Sequence, residues 1–203
     1  INKLHKDLVV KSSDNRLILG DTGVKLQQKT HQLFSGTIKF EDGSTRVIDT
    51  SKAEFIKEKF QGYKIGIFYK FIAELEMLKQ VFKETLTTDL NEFDTTNKNI
   101  ALQIVSGREG ISLRNADYLV FMNIDFSAVS YFQAKDRMTT LERKENTIFW
   151  IFSKDGIEEK IYKTVQGKKD YTNSTFKKDF NVGATDSNKN NQQANKRWMA
   201  LSK

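Results

Sequence analysis

The 203 residues contain no cysteine and no proline. Without cysteine, disulfides and thiolate metal sites are excluded. The absence of proline is unusual for a chain of this size. Histidine is scarce: His5 and His31 lie far apart among polar neighbours, which argues against a histidine-based metal site. No apolar run is long enough to span a bilayer and no signal-like segment opens the chain. These two absences predict a cytoplasmic protein with no membrane partner. The first residue is Ile1 rather than Met, as expected of a piece of a longer chain. The phosphate-cradling pattern G-x-x-x-x-G-K-[ST] occurs nowhere, and no G-x-G-x-x-G follows a strand. Both absences argue against a self-contained nucleotide site.

What is present fits a folded domain. Hydrophobic residues make up 38% of the chain, with 15 Phe among them, enough for one large domain or one domain with a tail. The net charge of +7 looks like a nucleic-acid signal. Its location qualifies that reading, because residues 167–203 hold eight Lys and Arg against three Asp. The basicity is mostly a property of the tail and supports loose, salt-sensitive attraction to polyanions. From about Asn181 the chain is rich in Asn, Lys, Gln and Ser, so 181–203 is expected to be a disordered end.

Along the chain, KDLVVKSSDNRLILGD predicts a hairpin around SSDN. TGVKLQQKTHQLFSG predicts a helix with Leu26 and Leu33 seven apart, Val24 and Phe34 nearby, Thr22 as cap and Gly36 at the end. FEDGSTRVIDTS suggests a turn at Asp42-Gly43 and a strand. A helix follows from Thr50 or Ser51 to about Gln61. The pattern then alternates. Strand YKIGIFY (63–69) precedes a helix over 71–82 with Phe71, Ile72, Leu75, Leu78 and Phe82 as one stripe. After the polar loop TLTTDLNEFDTTNKN come strand IALQIVS, the segment GREGISLRNA, and strand YLVFMNI. A helix over about 127–139, strand TIFWIFS, helix GIEEKIYKTVQ and a short helix near 173–180 complete the series. Repeated β-α units with continuous apolar strands predict an α/β fold with an open parallel sheet covered by helices on both faces.

Ligands of such sheets sit at the carboxyl ends of the strands. Three segments stand out there: Lys70 after IGIFY, the loop Ser106-Gly107-Arg108-Glu109-Gly110-Ile111-Ser112 after IVS, and the turn from Asp125 into a helix carrying Gln133 and Arg137. The glycines of SGREGIS permit close backbone approach to a phosphate, although a tight strand-to-helix turn needs them for geometry alone. Gln133 and Arg137 share a helix face at a spacing of four, which a solvated surface helix would also show. Read from the residues alone, a nucleic-acid-binding module and a doubly wound enzyme for a small phosphorylated substrate both stay open. For the enzyme, Asp125 and Glu109 lie at the strand ends without an evident partner.

The ordered set is more specific than its parts. IGIFYKFIAELEML (65–78), SGREGISLRNADYLVFMN (106–123) and SAVSYFQAKDRMTTLERKEN (127–146) resemble motifs IV, V and VI of superfamily 2 helicases, in order and spacing. The match is to the Swi/Snf-like branch as found in phage and prophage proteins. Gly110-Ile111-Ser112-Leu113 and Ala116-Asp117 fit its fifth motif; Gln133-Ala134-Lys135-Asp136-Arg137 fits the start of its sixth. KLQQ (25–28) and VIDTSK (47–52) resemble the lead-in. The resemblance covers about residues 20–180. It implies a second RecA-like domain over 1–180, with a lead-in over 1–60 and a motif-bearing core over 61–166. Its implied partners are DNA, with RNA left open, and an N-terminal RecA-like domain. That other domain would hold most of the ATP and Mg2+ through its P-loop and acidic motif. The resemblance assigns nucleotide contacts to Gln133, Arg137, Glu109 and Gly110. It assigns nucleic-acid contacts to Tyr69, Lys70, Ser106, Gly107 and Arg108. The catalytic arginines would be Arg137 and Arg143. Where the family has its second arginine this chain has Thr140, so either Arg137 alone senses the γ-phosphate or Arg143, one turn on, substitutes.

Overall fold

Apolar runs without a polar alternate become the middle of a sheet, because a strand covered on both faces has no solvent side to mark. The computed structural model describes residues 1–104, 113–136, 147–182 and 198–202, with 133–136 and 198–202 described by backbone only. The core strands are β5 (Ile65–Tyr69), β6 (Leu86–Thr87), β7 (Asn99–Gln103), β8 (Tyr118–Phe121) and β9 (Ile148–Ser153). They are parallel and lie in the order β9-β8-β5-β7-β6, with β5 in register between Ile100–Gln103 of β7 and Tyr118–Phe121 of β8. Every residue of β5 is buried. This is the expected α/β arrangement of an open parallel sheet with helices on both faces.

Alternation along β5 sorts the two faces. Ile65, Ile67 and Tyr69 pack with α3 (Ser51–Lys59) and α4 (Ile72–Phe82), through Ala53, Ile56, Met77, Leu78 and Phe82. Phe68, Phe121, Trp150 and Phe152 face the other way. They pack with α6 (Ala128–Asp136), α7 (Ile157–Gln166) and α8 (Asn173–Asp179), joined by Phe93 of α5 (Leu90–Thr95) and Leu26 of α2 (Gly23–Phe34). The crossover from β5 to β6 runs one way along the sheet and those from β6 to β9 run back. Right-handed connections therefore place α4 on one face and α5 and α6 on the other. Neighbouring strands β5 and β8 consequently send their chains to opposite faces, which opens a crevice at their carboxyl ends.

The lead-in is richer than expected. A short α1 (Asn2–Asp7) precedes the predicted hairpin of β1 (Val9–Lys11) and β2 (Leu17–Leu19), whose turn places Asn15 at φ 64°. The single strand expected near Val47 is a second hairpin, β3 (Thr37–Lys39) with β4 (Thr45–Val47). Thr22 caps α2 by accepting from Lys25 N–H, and Gly36 follows at φ 83°. Val24, expected beside the apolar face, is 66% exposed. The helix instead buries Gln27, Lys29, Thr30, His31 and Gln32 beside Leu26, each too polar for an apolar-spacing argument to place inside. Four of these polar side chains have nearby partners; the Gln32 side-chain oxygen accepts from Lys39 N–H at 3.0 Å. Gln27 donates to the Tyr171 carbonyl at 3.2 Å, Lys29 pairs with Glu41 at 3.1 Å, and Thr30 meets the His5 ring at 2.7 Å.

Three further differences have local causes. The buried face of α4 is Ala73, Glu74, Met77, Leu78 and Phe82, while Ile72 is exposed. Phe71 stands outside the helix as its cap, so the expected stripe holds at Leu78 and Phe82, with Leu75 packed beside them, and fails at its start, where Ile72 faces out. The polar loop over 85–99 contains β6 and α5, held by an Asp89 cap on Glu92 N–H and by one fully buried residue, Phe93. A single apolar anchor leaves no period to read. In the tail, the backbone of β10 (Trp198–Ser202) pairs antiparallel with the open edge of β9. Trp198, Met199, Ala200 and Leu201 are the tail's apolar run, and an unpaired strand edge is a ready template for it. The expected disorder thus gives way over these five residues, and 183–197 lie outside the described residues. Among the described residues, no helix is long and apolar enough to cross a membrane.

Candidate functional site at the switch point

The crevice between β5 and β8 is built around the first residue after β5. Lys70 Nζ reaches across to Asp125 Oδ1 at 2.9 Å and lies over the Phe126 ring, 4.5 Å from its centroid. Asp125 is pinned from its own side by Phe126 N–H at 2.7 Å. The end of β7 supports the same place. Ile104 N–H donates to the Tyr69 carbonyl at 2.8 Å, and the Gln103 amide donates to the Lys70 carbonyl at 3.2 Å. The lysine and carboxylate are 19% and 30% exposed, so this pair forms the wet rim of the site.

Beneath the rim is a dry polar floor. Glu74, on the first turn of α4, accepts from Lys70 N–H at 2.8 Å, Phe71 N–H at 2.9 Å and the Asn123 amide at 2.6 Å. It thereby caps two orphan donors at the helix start. Lys52, at the start of α3, donates to the Met122 carbonyl and to Glu158 of α7, each at 2.7 Å. The His31 ring lies between Phe71 and Phe126, at 5.2 and 5.0 Å. Among the described residues, no group meets hydrogen-bond geometry with either of its nitrogens, although Asn123 lies close enough to favour the protonated ring.

Burial sets the charge states. Glu74 is pushed up by burial, against the opposing pull of Lys52 and its three hydrogen bonds. His31 is pushed well down by burial and by the positive charges of Lys70 and Lys52, so it is neutral near pH 7. Burial alone would raise Asp125; the Lys70 charge and hydrogen bond, with the Phe126 N–H, outweigh it and hold the carboxyl below its ordinary value.

The two His give a pH test. A base whose pKa is depressed in the folded state binds fewer protons folded than unfolded, so stability falls as pH drops below the unfolded value of about 6.5. The limiting slope is about 1.4 kcal/mol per pH unit for each such histidine. His5 is also lowered, by burial and by the N-terminal charge, but less completely buried. Glu74 acts with opposite sign: its contribution is present at low pH and lost as pH rises through its raised value. Urea unfolding between pH 7.5 and 5.5 is therefore expected to lose its acid-side slope largely in His31→Leu and only slightly in His5→Gln. An unchanged slope in His31→Leu would remove His31 as the source.

Of the expected site residues, Lys70 stands at the rim. Tyr69 is 9% exposed and belongs to the core under α3 and α4, which leaves little of its ring for a nucleic-acid base. Ser106, Gly107, Arg108, Glu109 and Gly110 lie outside the described residues, as do Arg137 and Arg143. Gln133 falls within α6, its side chain outside the description. The structure adds Asp125 with its partner, and the buried Lys52, Glu74, Asn123, His31 and Glu158. Asp125 had already stood out at the strand ends, without its partner; of the five buried residues only Glu74 had a local sign, three residues after a helix cap. Among the described residues, no three of His, Asp and Glu come together as a metal site.

A larger cleft of about 530 Å³ lies at the opposite, amino edge of the sheet, lined by Lys57, Phe60, Tyr63, Lys64 and Asp117. Its lysines are already committed: Lys57 donates to the Val81 carbonyl at 2.8 Å and Lys64 to the Thr96 carbonyl at 2.7 Å. Cations that cap the ends of chain segments in this way serve the fold. The switch point, where three strand ends converge, is the better candidate.

No family model matches the chain, and no curated protein matches it. Among solved structures it is similar to the C-terminal part of the Fun30 ATPase domain, at 21% identity with a TM-score of 0.44. That similarity covers 55% of this chain and 44% of the other, so it spans less than half the length of its structural neighbour.

Proposed function

We propose that the chain is the C-terminal motor domain of an ATP-dependent DNA helicase or translocase of superfamily 2, in the Swi/Snf-like branch and of the phage and prophage type. In this reading it grips one nucleic-acid strand through Lys70 and Ser106, Gly107 and Arg108. It supplies Arg137, with Arg143, to ATP at the interface with a P-loop domain. Gln133, Glu109 and Gly110 face the same nucleotide. ATP and Mg2+ are held mainly by that other domain, and no metal ligand is assigned to this one. Closure of the two domains in each ATP cycle would move the protein along the strand.

One observation carries the proposal. The three motif-bearing segments leave β5, β7 and β8, three adjacent strands, at the same edge of one sheet, where open α/β sheets take their ligands. The arginine's chemistry follows from phosphoryl transfer, in which charge builds on the transferred group and a positioned cation stabilises it. A stand-alone nucleic-acid-binding module remains the second reading, because the basicity is concentrated in residues 167–203.

ATP turnover by the 203 residues alone is expected to be negligible, since no loop of the P-loop pattern occurs to cradle the phosphates. Turnover stimulated by DNA from these residues alone would overturn the two-domain reading. Turnover that requires a P-loop domain in the same protein separates it from the stand-alone module.

A further inference from the structure

The rim pair has the properties of an exchangeable contact. One partner is fixed: Asp125 is held by the N–H of Phe126, and Phe126 by Tyr171 N–H on its carbonyl at 2.8 Å. The other partner is the end of a flexible four-carbon stem. Both are wet enough that breaking the pair strands neither charge, unlike Lys52 and Glu158, which are 0% exposed. Lys70 also stands first after the central strand, at the edge where a ligand would arrive.

We propose that the Lys70 site is a phosphate site occupied in the free chain by Asp125, and that a nucleic-acid backbone phosphate takes the place of that carboxylate on binding. Asp125 acts here as a built-in competitor and as a positioning residue. The inference rests on the reading that nucleic acid runs over the end of β5. Its consequence lies in what Asp125 is attached to. The turn it occupies opens α6, whose first N–H, on Ala128, is capped by Asp170 at 2.8 Å. Tyr131 of α6 packs against Trp150, with ring centroids 5.3 Å apart. A gap of about 10 Å³, lined by Asp125, Ser130, Tyr131 and Trp150 among others, lies between this turn and the sheet. It is at the lower limit for holding a water, which leaves the turn a little room to shift. Loss of the Lys70 contact therefore reaches the helix that leads to Arg137, and Trp150 sits where the shift would be felt.

The test uses the 203-residue chain, a fluorescein-labelled oligo(dT), and enough salt to screen attraction from the tail. Anisotropy titrations compare the parent with Asp125→Asn, Lys70→Met and the double variant. A partly exposed ion pair sets the scale at about two- to fivefold in Kd. Asp125→Asn is expected to tighten binding by that factor, Lys70→Met to weaken it, and Asp125→Asn to have no further effect once Lys70 is gone. In a Trp198→Phe background, Trp150 emission should change on adding oligo(dT) to the parent and stay constant in Lys70→Met. In Asp125→Asn it should start at the bound value. Equal tightening by Asp125→Asn with and without Lys70 would reduce the effect to distant charge and overturn the exchange. Weaker binding in Lys70→Met without tightening in Asp125→Asn would also overturn it while leaving the grip at β5 intact. Binding indifferent to Lys70 would overturn that grip, and the exchange with it.

Discussion

Glu158→Leu is expected to lower folding stability by about 3–5 kcal/mol, and Lys52→Met in the same molecule to restore most of the loss. Both side chains are 0% exposed and their charged atoms are 2.7 Å apart. Each ion lost its hydration on folding, and the attraction between them offsets that cost only while both are present. Removing the carboxylate takes from a buried ammonium ion its directly paired charge, leaving the Met122 carbonyl beside it and the charge of Glu74 farther off. Removing both leaves two apolar side chains of similar volume. The pair is not ideally satisfied even when intact, since among the described residues Glu158 Oε2 finds no hydrogen-bond partner. Replacement of both is therefore expected to bring stability near the parent value.

Recovery should stop slightly short of complete. Glu158 lies in the first turn of α7, where a carboxylate gains about 0.3–1 kcal/mol from the helix dipole. The Met122 carbonyl also loses its donor. Urea midpoints at constant m-value measure each step. A double variant as unstable as Glu158→Leu would show that shape at the α3–α7 contact, rather than paired charge, holds the lead-in onto the sheet.

This pair also shows where the sequence stops being legible. The parallel strands were readable because burial on both faces makes continuous apolar runs, and Ile65–Tyr69 has no polar residue to confuse the pattern. Helix α2 was readable from its Thr22 cap and the spacing of Leu26 and Leu33, and α3, α6, α7 and α8 from their places between or after the strands. The polar interior was not. Lys52 and Glu158 are 106 residues apart, and Gln27 and Tyr171 are 144 apart. Nothing local distinguishes a buried, paired lysine from a solvated one on a neighbouring turn. His31 illustrates the same point: its sequence neighbours are polar, yet it is fully buried because those neighbours are buried with it. The place of the candidate site could be read from the order of the strands and the segments that follow them. Its floor could not, because every hydrogen bond in it between separate elements joins residues brought together by the fold.

On the proposed function, Arg137→Ala is expected to reduce ATP turnover by about 10³–10⁵, the range over which arginine fingers act in phosphoryl-transfer enzymes. The measurement belongs in a protein that carries both motor domains, at saturating ATP and nucleic acid. Nucleic-acid affinity should stay nearly constant, because the proposed partner of Arg137 is the γ-phosphate, while the proposed grip on the strand is Lys70 and the segment after β7. Arg143 is the sharper question. Where the family that this chain resembles in sequence has a second arginine, the chain has Thr140, and Arg143 follows three residues later. If it substitutes, Arg143→Ala should cost at least about tenfold in turnover, and Arg143→Lys should recover little, since a point charge lacks the bidentate fork. If it is a solvated residue, turnover should stay within about twofold and stability within about 0.5 kcal/mol. Parent-like turnover in Arg137→Ala would remove the assignment of the sixth motif, and with it the reason to place a nucleotide beside α6.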